Sequence, residues 1–576
     1  MYIKTMVVML FWQFFLFSLY SRTLGYPYPA DPGNARVNLG YAQYQGSLVG
    51  ADGGVAQYLG LRYAAPPTGE RRWRVPAEPE VEDVGDQAAD TFGPICLGIS
   101  VPYPNDRAED EDCLFANVWA PANATRESKL PVWLFIQGGG YTVNSNANWN
   151  GTAVVERSGR NIILVNFNYR VGLYGFLASE RVRAAGAGDL NVGLLDQRQA
   201  MRWVRRHIAQ FGGDPEHVVI HGASAGAGSV ALHLVAYGGG NSVQDEKLFV
   251  GAVGESMFFP AQPFVADLEW QFNRVLRGVG CDNSSSPMTC LRSKDTTTLQ
   301  TVNVPSAFPG RPETPEPLFY WTPCIDGDLL RDLPYASLER GEFIDVPVLM
   351  GATTDEGTVF ATDDATSDDT VLFLQNNYPN MTDAQAADVI ARYPLMDALP
   401  MHAAWFPSAA KAYGEATFIC PANYILDVYA AKHVDSNTMN TSSSSSRSKT
   451  WGYRTNLYDA NNAAMGVGVP HIFESWAIFG PDSQAGIGGA PASFYSHTTD
   501  VVDYIMDYWI SFVRTLDPSA MRTPGAPAWE AWDSVAGGAR LVFQADNFTM
   551  EPVPLDQRQR CDFWRGLAPS TQQKRI

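Results

Sequence analysis

The sequence predicts an α/β fold, a large and mostly parallel central sheet with helices on both faces. Two patterns predict it. Short apolar runs, Pro131–Ile136, Ile162–Val165 and Val218–Ile220, are interleaved with an amphipathic stretch, Gly193–Phe211, in which Leu194, Leu195, Met201, Val204 and Ile208 recur at helical spacing. Runs that are apolar at every position suit strands covered on both faces. Strands alternating with helices build a parallel sheet wrapped by helices. The second pattern is the stretch His221-Gly222-Ala223-Ser224-Ala225-Gly226-Ala227-Gly228-Ser229, set between the last of those strands and the apolar run Val230–Val235. A glycine-flanked serine between a strand and a helix occupies a sharp turn. Gly222 and Gly226 leave room for close backbone approach, and the serine oxygen stands at a helix N-terminus, where free N–H groups favour negative charge.

Size and composition bound the remaining choices. With 576 residues, 45% hydrophobic and 18% charged, the chain can bury a large core, and residues 26–576 are expected to form a single domain. A net charge of −20 argues against nucleic acid and against anionic membrane surfaces. Residues 1–25 read as a secretory signal: Lys4, then an uncharged run from Thr5 to Tyr20, then the small-residue site Thr23-Leu24-Gly25. A membrane anchor is the competing reading of that segment; on the signal reading no stable membrane insertion remains after cleavage. In an oxidising compartment the seven cysteines become disulfide candidates, and an odd number leaves one unpaired. A bridge between Cys96 and Cys113 would close a surface loop, and the spacing of Cys281 and Cys290 suits a second local bridge, although spacing alone does not fix pairing. Sequons at Asn123, Asn150, Asn283, Asn380, Asn440 and Asn547 are candidate glycan sites. No metal site and no cofactor is expected.

Along the chain, Tyr26–Asn38 reads as extended, Leu39–Val55 as hairpin-like, and Gln57–Gly69 as a strand ending in a Pro-Pro turn. The strand at Pro131–Ile136 continues into Gln137-Gly138-Gly139-Gly140-Tyr141, where three glycines let backbone N–H groups turn toward a ligand as in an oxyanion loop. Val250–Val253 reads as a strand and residues 262–300 as helical. Val346–Gly351 is a strand ending in Thr354-Asp355-Glu356-Gly357. Thr382–Tyr393 and Ala403–Thr417 look helical. Five serines follow Thr441 in a loop, and Thr450–Tyr458 is a late strand leading to Gly466-Val467-Gly468-Val469-Pro470-His471. Helical patterning returns at Val501–Arg514.

A serine hydroxyl needs a base to accept its proton, and the base needs an acid to orient it. Of eight histidines, His402, His433, His471 and His497 follow the acidic strand end, and only His471 sits in a glycine-rich loop just after a strand. Asp355 and Glu356 both stand at the strand end. Adjacent side chains diverge, so one of them faces inward.

These stretches resemble the type-B carboxylesterase/lipase family, which includes fungal lipases, animal carboxylesterases and cholinesterases. The resemblance rests on Leu59-Gly60-Leu61-Arg62-Tyr63-Ala64-Ala65-Pro66-Pro67, Glu111-Asp112-Cys113-Leu114, the Gly138–Tyr141 loop, Asn191–Arg198, Phe211-Gly212-Gly213-Asp214-Pro215, the Ser224 turn, Asp355-Glu356-Gly357 and the His471 loop, in that order across nearly the whole chain. It implies an α/β-hydrolase fold, Ser224 as nucleophile, His471 as general base then acid, and Glu356 as the orienting acid. It also implies an oxyanion hole from the N–H groups of Gly139, Gly140 and Ala225. The implied bridges are Cys96–Cys113, Cys281–Cys290 and Cys420–Cys561, with Cys324 a buried free thiol. The chain departs from the family at Ala223, where glutamate is common, and more modestly at Gln137 and Tyr141.

The expected partner is a small-molecule ester. The loop from Leu97 to Asp112 carries no tryptophan and only Tyr103, which argues against a quaternary-ammonium substrate. It is short and carries Asp106, Arg107, Glu109, Asp110, Glu111 and Asp112, unlike the apolar lid that an oil surface would open. Short-to-medium acyl esters are therefore favoured, with a lipase acting on long-chain acylglycerols or sterol esters as the alternative. A non-catalytic adhesion relative would be expected to have lost members of the Ser-His-acid set, yet all three are present.

Overall fold

The computed structural model describes residues 35–81, 85–99, 108–144, 149–240, 246–437, 450–483, 489–534, 537–545 and 547–574. The expected signal segment, the serine run, Asn440 and the centre of the acidic loop lie outside the described residues.

The architecture is an 11-stranded sheet with helices packed on both faces. Its strands in chain order are β1 (Ser47–Val49), β2 (Val55–Arg62), β3 (Phe115–Pro121), β4 (Leu130–Ile136), β5 (Ile163–Phe167), β6 (Gly213–Ala223), β7 (Gly251–Glu255), β8 (Val348–Thr353), β9 (Thr450–Thr455), β10 (Ala539–Phe543) and β11 (Thr549–Pro552). In space they run β11-β10-β9-β8-β7-β6-β4-β5-β3-β2-β1. Every pairing from β5 through β10 is parallel. The pairings at the two edges are antiparallel.

The apolar strands are explained by what covers them. Val132, Leu134 and Ile136 of β4 enter the core layer on one face, while Trp133 and Phe135 enter the layer on the other. β6 does the same, with Val218 and Ile220 on one side and Val219 and Ala223 on the other. Successive residues of a strand point to opposite faces, so a strand covered twice is apolar on both, and its few buried polar residues, such as Asn166 and His221, are hydrogen-bonded.

Two helices frame the serine. Helix α1 (Val192–His207) presents the predicted apolar stripe inward and ends in a 3-10 turn, Ile208–Phe211, stopped by Gly212 in a left-handed conformation. Helix α2 (Ala225–Val235) begins at the residue after Ser224 and is buried along its whole length. That placement fits its sequence, which carries no acidic residue, lysine or arginine.

Some segments depart from expectation. Residues 262–300 form no continuous helix. A helix at Glu269–Gly278 stops at Gly280, whose φ is +68°, and short helices at Pro287–Arg292 and Thr296–Gln300 follow the Cys281 turn. The helix expected from Ala403 starts at Phe406, with Pro407 in its first turn, and continues through a wider turn at Glu415–Ile419 into Cys420–Asn437. The structure joins Cys96 to Cys113, Cys281 to Cys290 and Cys420 to Cys561, and Cys324 is a buried free thiol. Among the described residues no helix is long and apolar enough to cross a membrane.

Candidate active site

The β6–α2 junction forces Ser224 into φ +56° and ψ −124°, a conformation that is strained for any residue with a Cβ. Two backbone hydrogen bonds hold it there. The Ser224 N–H donates to the Glu255 carbonyl at 2.9 Å, and the Gly228 N–H donates to the Ser224 carbonyl at 3.0 Å. Close approach explains the flanking glycines: a Cβ on Gly222 would strike the Gly226 backbone, and one on Gly226 would strike the Ile136 carbonyl.

The glycine loop lies directly against the serine. A Cβ on Gly138 would sit 2.8 Å from the Ala223 carbonyl oxygen and 2.9 Å from the Ser224 Cβ. Gly139, Gly140 and Tyr141 all take positive φ. The Gly139 carbonyl is tied up by the N–H groups of Thr142 and Val143, each at 3.0 Å. Gln137, at the head of the loop, turns its amide into the core, donating to the Phe167 carbonyl and to Asn168 Oδ1. It anchors the loop and does not face a ligand.

The histidine and its acid are paired. His471 Nδ1 lies 2.5 Å from Glu356 Oε2, and Glu356 Oε1 accepts from the Thr353 N–H at 2.7 Å. Both side chains are buried. His471 Nε2 is buried and makes no hydrogen bond among the described residues. Ser224 and His471 are therefore not hydrogen-bonded in this structure, as is common before substrate tightens a site. They are nonetheless anchored to adjacent residues: Ser224 to the Glu255 carbonyl, and the histidine loop through the Ile472 N–H, which donates to Ser256 Oγ at 3.2 Å. Ser256 (φ +49°) and Ile472 (φ +55°) are strained like Ser224, so backbone strain concentrates where the two loops meet.

Asp355 and Glu356 do diverge: Glu356 is buried, and Asp355, half-buried, is tied to the histidine loop. Asp355 Oδ2 accepts from the Val469 N–H at 2.8 Å, while the Asp355 N–H donates to the Val469 carbonyl at 3.1 Å. Thr358 Oγ1 adds a bond to the Val467 carbonyl at 2.8 Å. The acid turn thus clamps the histidine loop. Gly468, at φ +61°, is required because a Cβ there would collide with the Asp355 carboxylate. Burial pushes the Asp355 carboxyl above its ordinary range, with the Val469 bond opposing.

Four phenylalanines surround this centre. Phe360 and Phe418 approach the His471 ring at 4.9 and 4.6 Å between centroids. Phe258 meets Phe319 at 4.6 Å and Phe418 at 5.7 Å. A Cβ on Gly140 would run into the Phe319 ring, so that ring covers the glycine loop. None of the four was visible as a site residue in the sequence, because they come from separate loops and helices. Beneath the site lie two more glutamates, Glu255 and Glu474, both fully buried. A charged residue ending the apolar β7 run was the one available signal for Glu255.

Two acids at the end of the acidic loop are paired. Glu111 is buried in an ion pair with Arg72, and Asp112 is paired with Arg62 at 2.7 Å. These two acids brace the loop's end and do not present charge to a ligand. Of the sequons, Asn123, Asn150, Asn283, Asn380 and Asn547 lie within the described residues. Of the other histidines after the acid turn, His402 stacks on Phe406 at 3.6 Å, and His497 is an exposed residue near Tyr458.

A mostly parallel sheet with a strained serine turn at a strand end, a glycine loop beside it and a buried His–Glu pair defines the α/β-hydrolase class. Comparison with known proteins agrees. A model described as "Carboxylesterase family" matches residues 34–564, and the chain belongs to that family; it is a carboxylic-ester hydrolase. The crystal structure of EstA from Aspergillus niger superposes with a TM-score of 0.87 at 46% identity, covering 94% of this chain and 99% of that one. Lipase 2 of Geotrichum candidum is 32% identical over 60% of this chain and 67% of its own length. Secreted lipase 1 of Botryotinia fuckeliana is 29% identical over 87% and 88% respectively.

Proposed function

We propose that this protein is a secreted serine esterase that cleaves short-to-medium acyl esters through an acyl-enzyme, with Ser224 as nucleophile, His471 as base and Glu356 as orienting acid. The observation that carries the assignment is the buried His471–Glu356 pair, whose loop is tethered to Ser256 while Ser224 is tethered to the neighbouring Glu255.

On this reading Glu356 holds His471 with Nδ1–H bound and Nε2 free to accept. Ser224 Oγ attacks the ester carbonyl as its proton passes to His471 Nε2. The tetrahedral oxyanion is met by the N–H groups of Gly139, Gly140 and Ala225, each such donor lowering the barrier by about 3 kcal/mol. His471 then protonates the leaving alcohol, and water, activated by the same imidazole, releases the acid.

Two observations support a small acyl group. Phe258, Phe319, Phe360 and Phe418 crowd the histidine and the glycine loop. The loop after Cys96 is acid-bearing and short. The second reading, a lipase, is favoured by the printed names of the relatives, two of which are lipases. Secretion is supported by the three disulfides, by the secreted relative from Botryotinia fuckeliana and by the signal-like N-terminus.

Hydrolysis of p-nitrophenyl esters from acetate to palmitate, with Ser224→Ala as background, tests both readings. Ser224-dependent turnover peaking at short chains is expected. A peak at palmitate that rises when substrate forms an interface would replace the esterase reading with the lipase one. Turnover surviving in Ser224→Ala would remove the proposed mechanism.

A further inference from the structure

The buried space behind the nucleophile holds more acid than the proposed triad uses. Glu255 ends β7, and in the sheet register it stands opposite Ala223, the residue before the nucleophile. Its carbonyl takes the Ser224 N–H. Its carboxyl reaches the other way: Oε1 is hydrogen-bonded to Ser475 Oγ, and Oε2 lies 3.2 Å from His221 Nε2. Ser475 is four residues beyond His471 and opens a short helix, Ser475–Phe479. One residue therefore touches the nucleophile turn with its backbone and the histidine segment with its side chain.

We propose that Glu255 is a positioning residue that acts as a neutral carboxylic acid, locking the nucleophile turn to the histidine segment, and that its ionisation at alkaline pH impairs the site. The inference rests on the triad reading above.

The surroundings explain why the neutral form fits. Trp133 Nε1 donates to His221 Nδ1 at 3.1 Å, so the neutral ring carries its proton on Nε2, beside Glu255 Oε2, which leaves the proton of a neutral Glu255 on Oε1, where the Ser475 hydroxyl can accept it; His221 is sealed among Trp133, Phe135 and Phe479. Burial holds the imidazole pKa down to about 3, so it supplies no positive charge to Glu255. The other ionisable groups facing Glu255 are Glu356 from the turn after β8, Glu474 from the loop preceding Ser475, and Tyr453 from β9, which donates to Glu474 Oε1 at 2.8 Å. None of these is cationic. Glu356 must be ionised to orient the imidazole, so a second carboxylate beside it would go uncompensated. Burial, reinforced by Glu356, pushes the Glu255 carboxyl up to about 8, with the Ser475 bond opposing. Below that pH the acid is neutral. Above it, a buried negative charge appears near the Ser224 turn and repels both the Glu356 carboxylate and the developing oxyanion.

The test is the pH profile of kcat for p-nitrophenyl acetate in wild type, Glu255→Gln and Glu255→Ala, with the burst amplitude counting folded sites and Ser224→Ala as background. Wild type is expected to lose activity several-fold through an inflection near pH 8. Glu255→Gln, a neutral isostere, should stay within about three-fold of wild type at pH 7 and lose that inflection. Glu255→Ala should lower kcat per active site about ten-fold or more with KM little changed. An unshifted alkaline limb in Glu255→Gln, no alkaline limb in wild type, or equal losses in Glu255→Gln and Glu255→Ala would each overturn the proposal. Turnover persisting in Ser224→Ala would instead overturn the triad on which it rests, and the two failures are thus distinct.

Discussion

Removing the Asp355 carboxylate tests the clamp on the histidine loop. Asp355→Ala deletes the acceptor of the Val469 N–H, a 2.8 Å bond in which Val469 is 6% exposed. A buried donor left without a partner costs about 1–3 kcal/mol. The loop can escape that cost by opening toward water, but opening carries His471, two residues further on, away from Glu356. If the full cost falls on the catalytic arrangement, kcat drops about 5- to 150-fold, since each 1.36 kcal/mol is a factor of ten. KM should change little, because Asp355 packs on the loop's backbone. Asp355→Asn keeps an oxygen acceptor of the same shape and removes a charge that burial already disfavours, so it should remain within a few-fold of wild type. Steady-state kinetics on p-nitrophenyl butyrate with both variants decides the matter. Full activity in Asp355→Ala, or equal damage in the two variants, would refute the clamp.

Three further outcomes are expected. Ser224→Ala should lower kcat on p-nitrophenyl esters by about a thousand-fold or more while thermal unfolding shows an intact fold. Phe319→Ala and Phe360→Ala should move the preferred acyl chain toward greater length, read as the ratio of kcat/KM for octanoate over acetate esters; an unchanged ratio would remove these rings from the acyl pocket. Replacing Cys420 and Cys561 together with serine frees a loop whose ends are 141 residues apart, and chain entropy sets the loss at no more than about 5 kcal/mol, read as a lower denaturant midpoint with residual turnover unaffected at low temperature.

Sequence alone carried the features that depend on neighbours along the chain. The apolar runs of β4, β5 and β6 declared a doubly covered sheet, because a strand buried on both faces is apolar at nearly every position. The glycines around Ser224 and in the Gly138–Gly140 loop declared close backbone approach, which no other residue permits. Helix ends were legible where Gly212 or Thr382 marked them, and blurred at residues 262–300, where the Cys281 turn interrupts a pattern that reads as continuous. What the sequence left open was whatever depends on side chains distant in the chain meeting across the sheet. The residue pattern by itself offered Asp355 and Glu356 as equals, and only the family resemblance favoured Glu356. Only the folded loops send one to the imidazole and the other to the Val469 amide, because the strand end turns between them. It counted Glu111 and Asp112 as exposed loop charge, and tertiary packing buries the first against Arg72 and pairs the second with Arg62. It was silent on Glu255. A carboxyl is neutral or charged according to its burial and the charges around it, and here those are set by β6, β8, β9 and the segment after His471, which only the assembled sheet brings together.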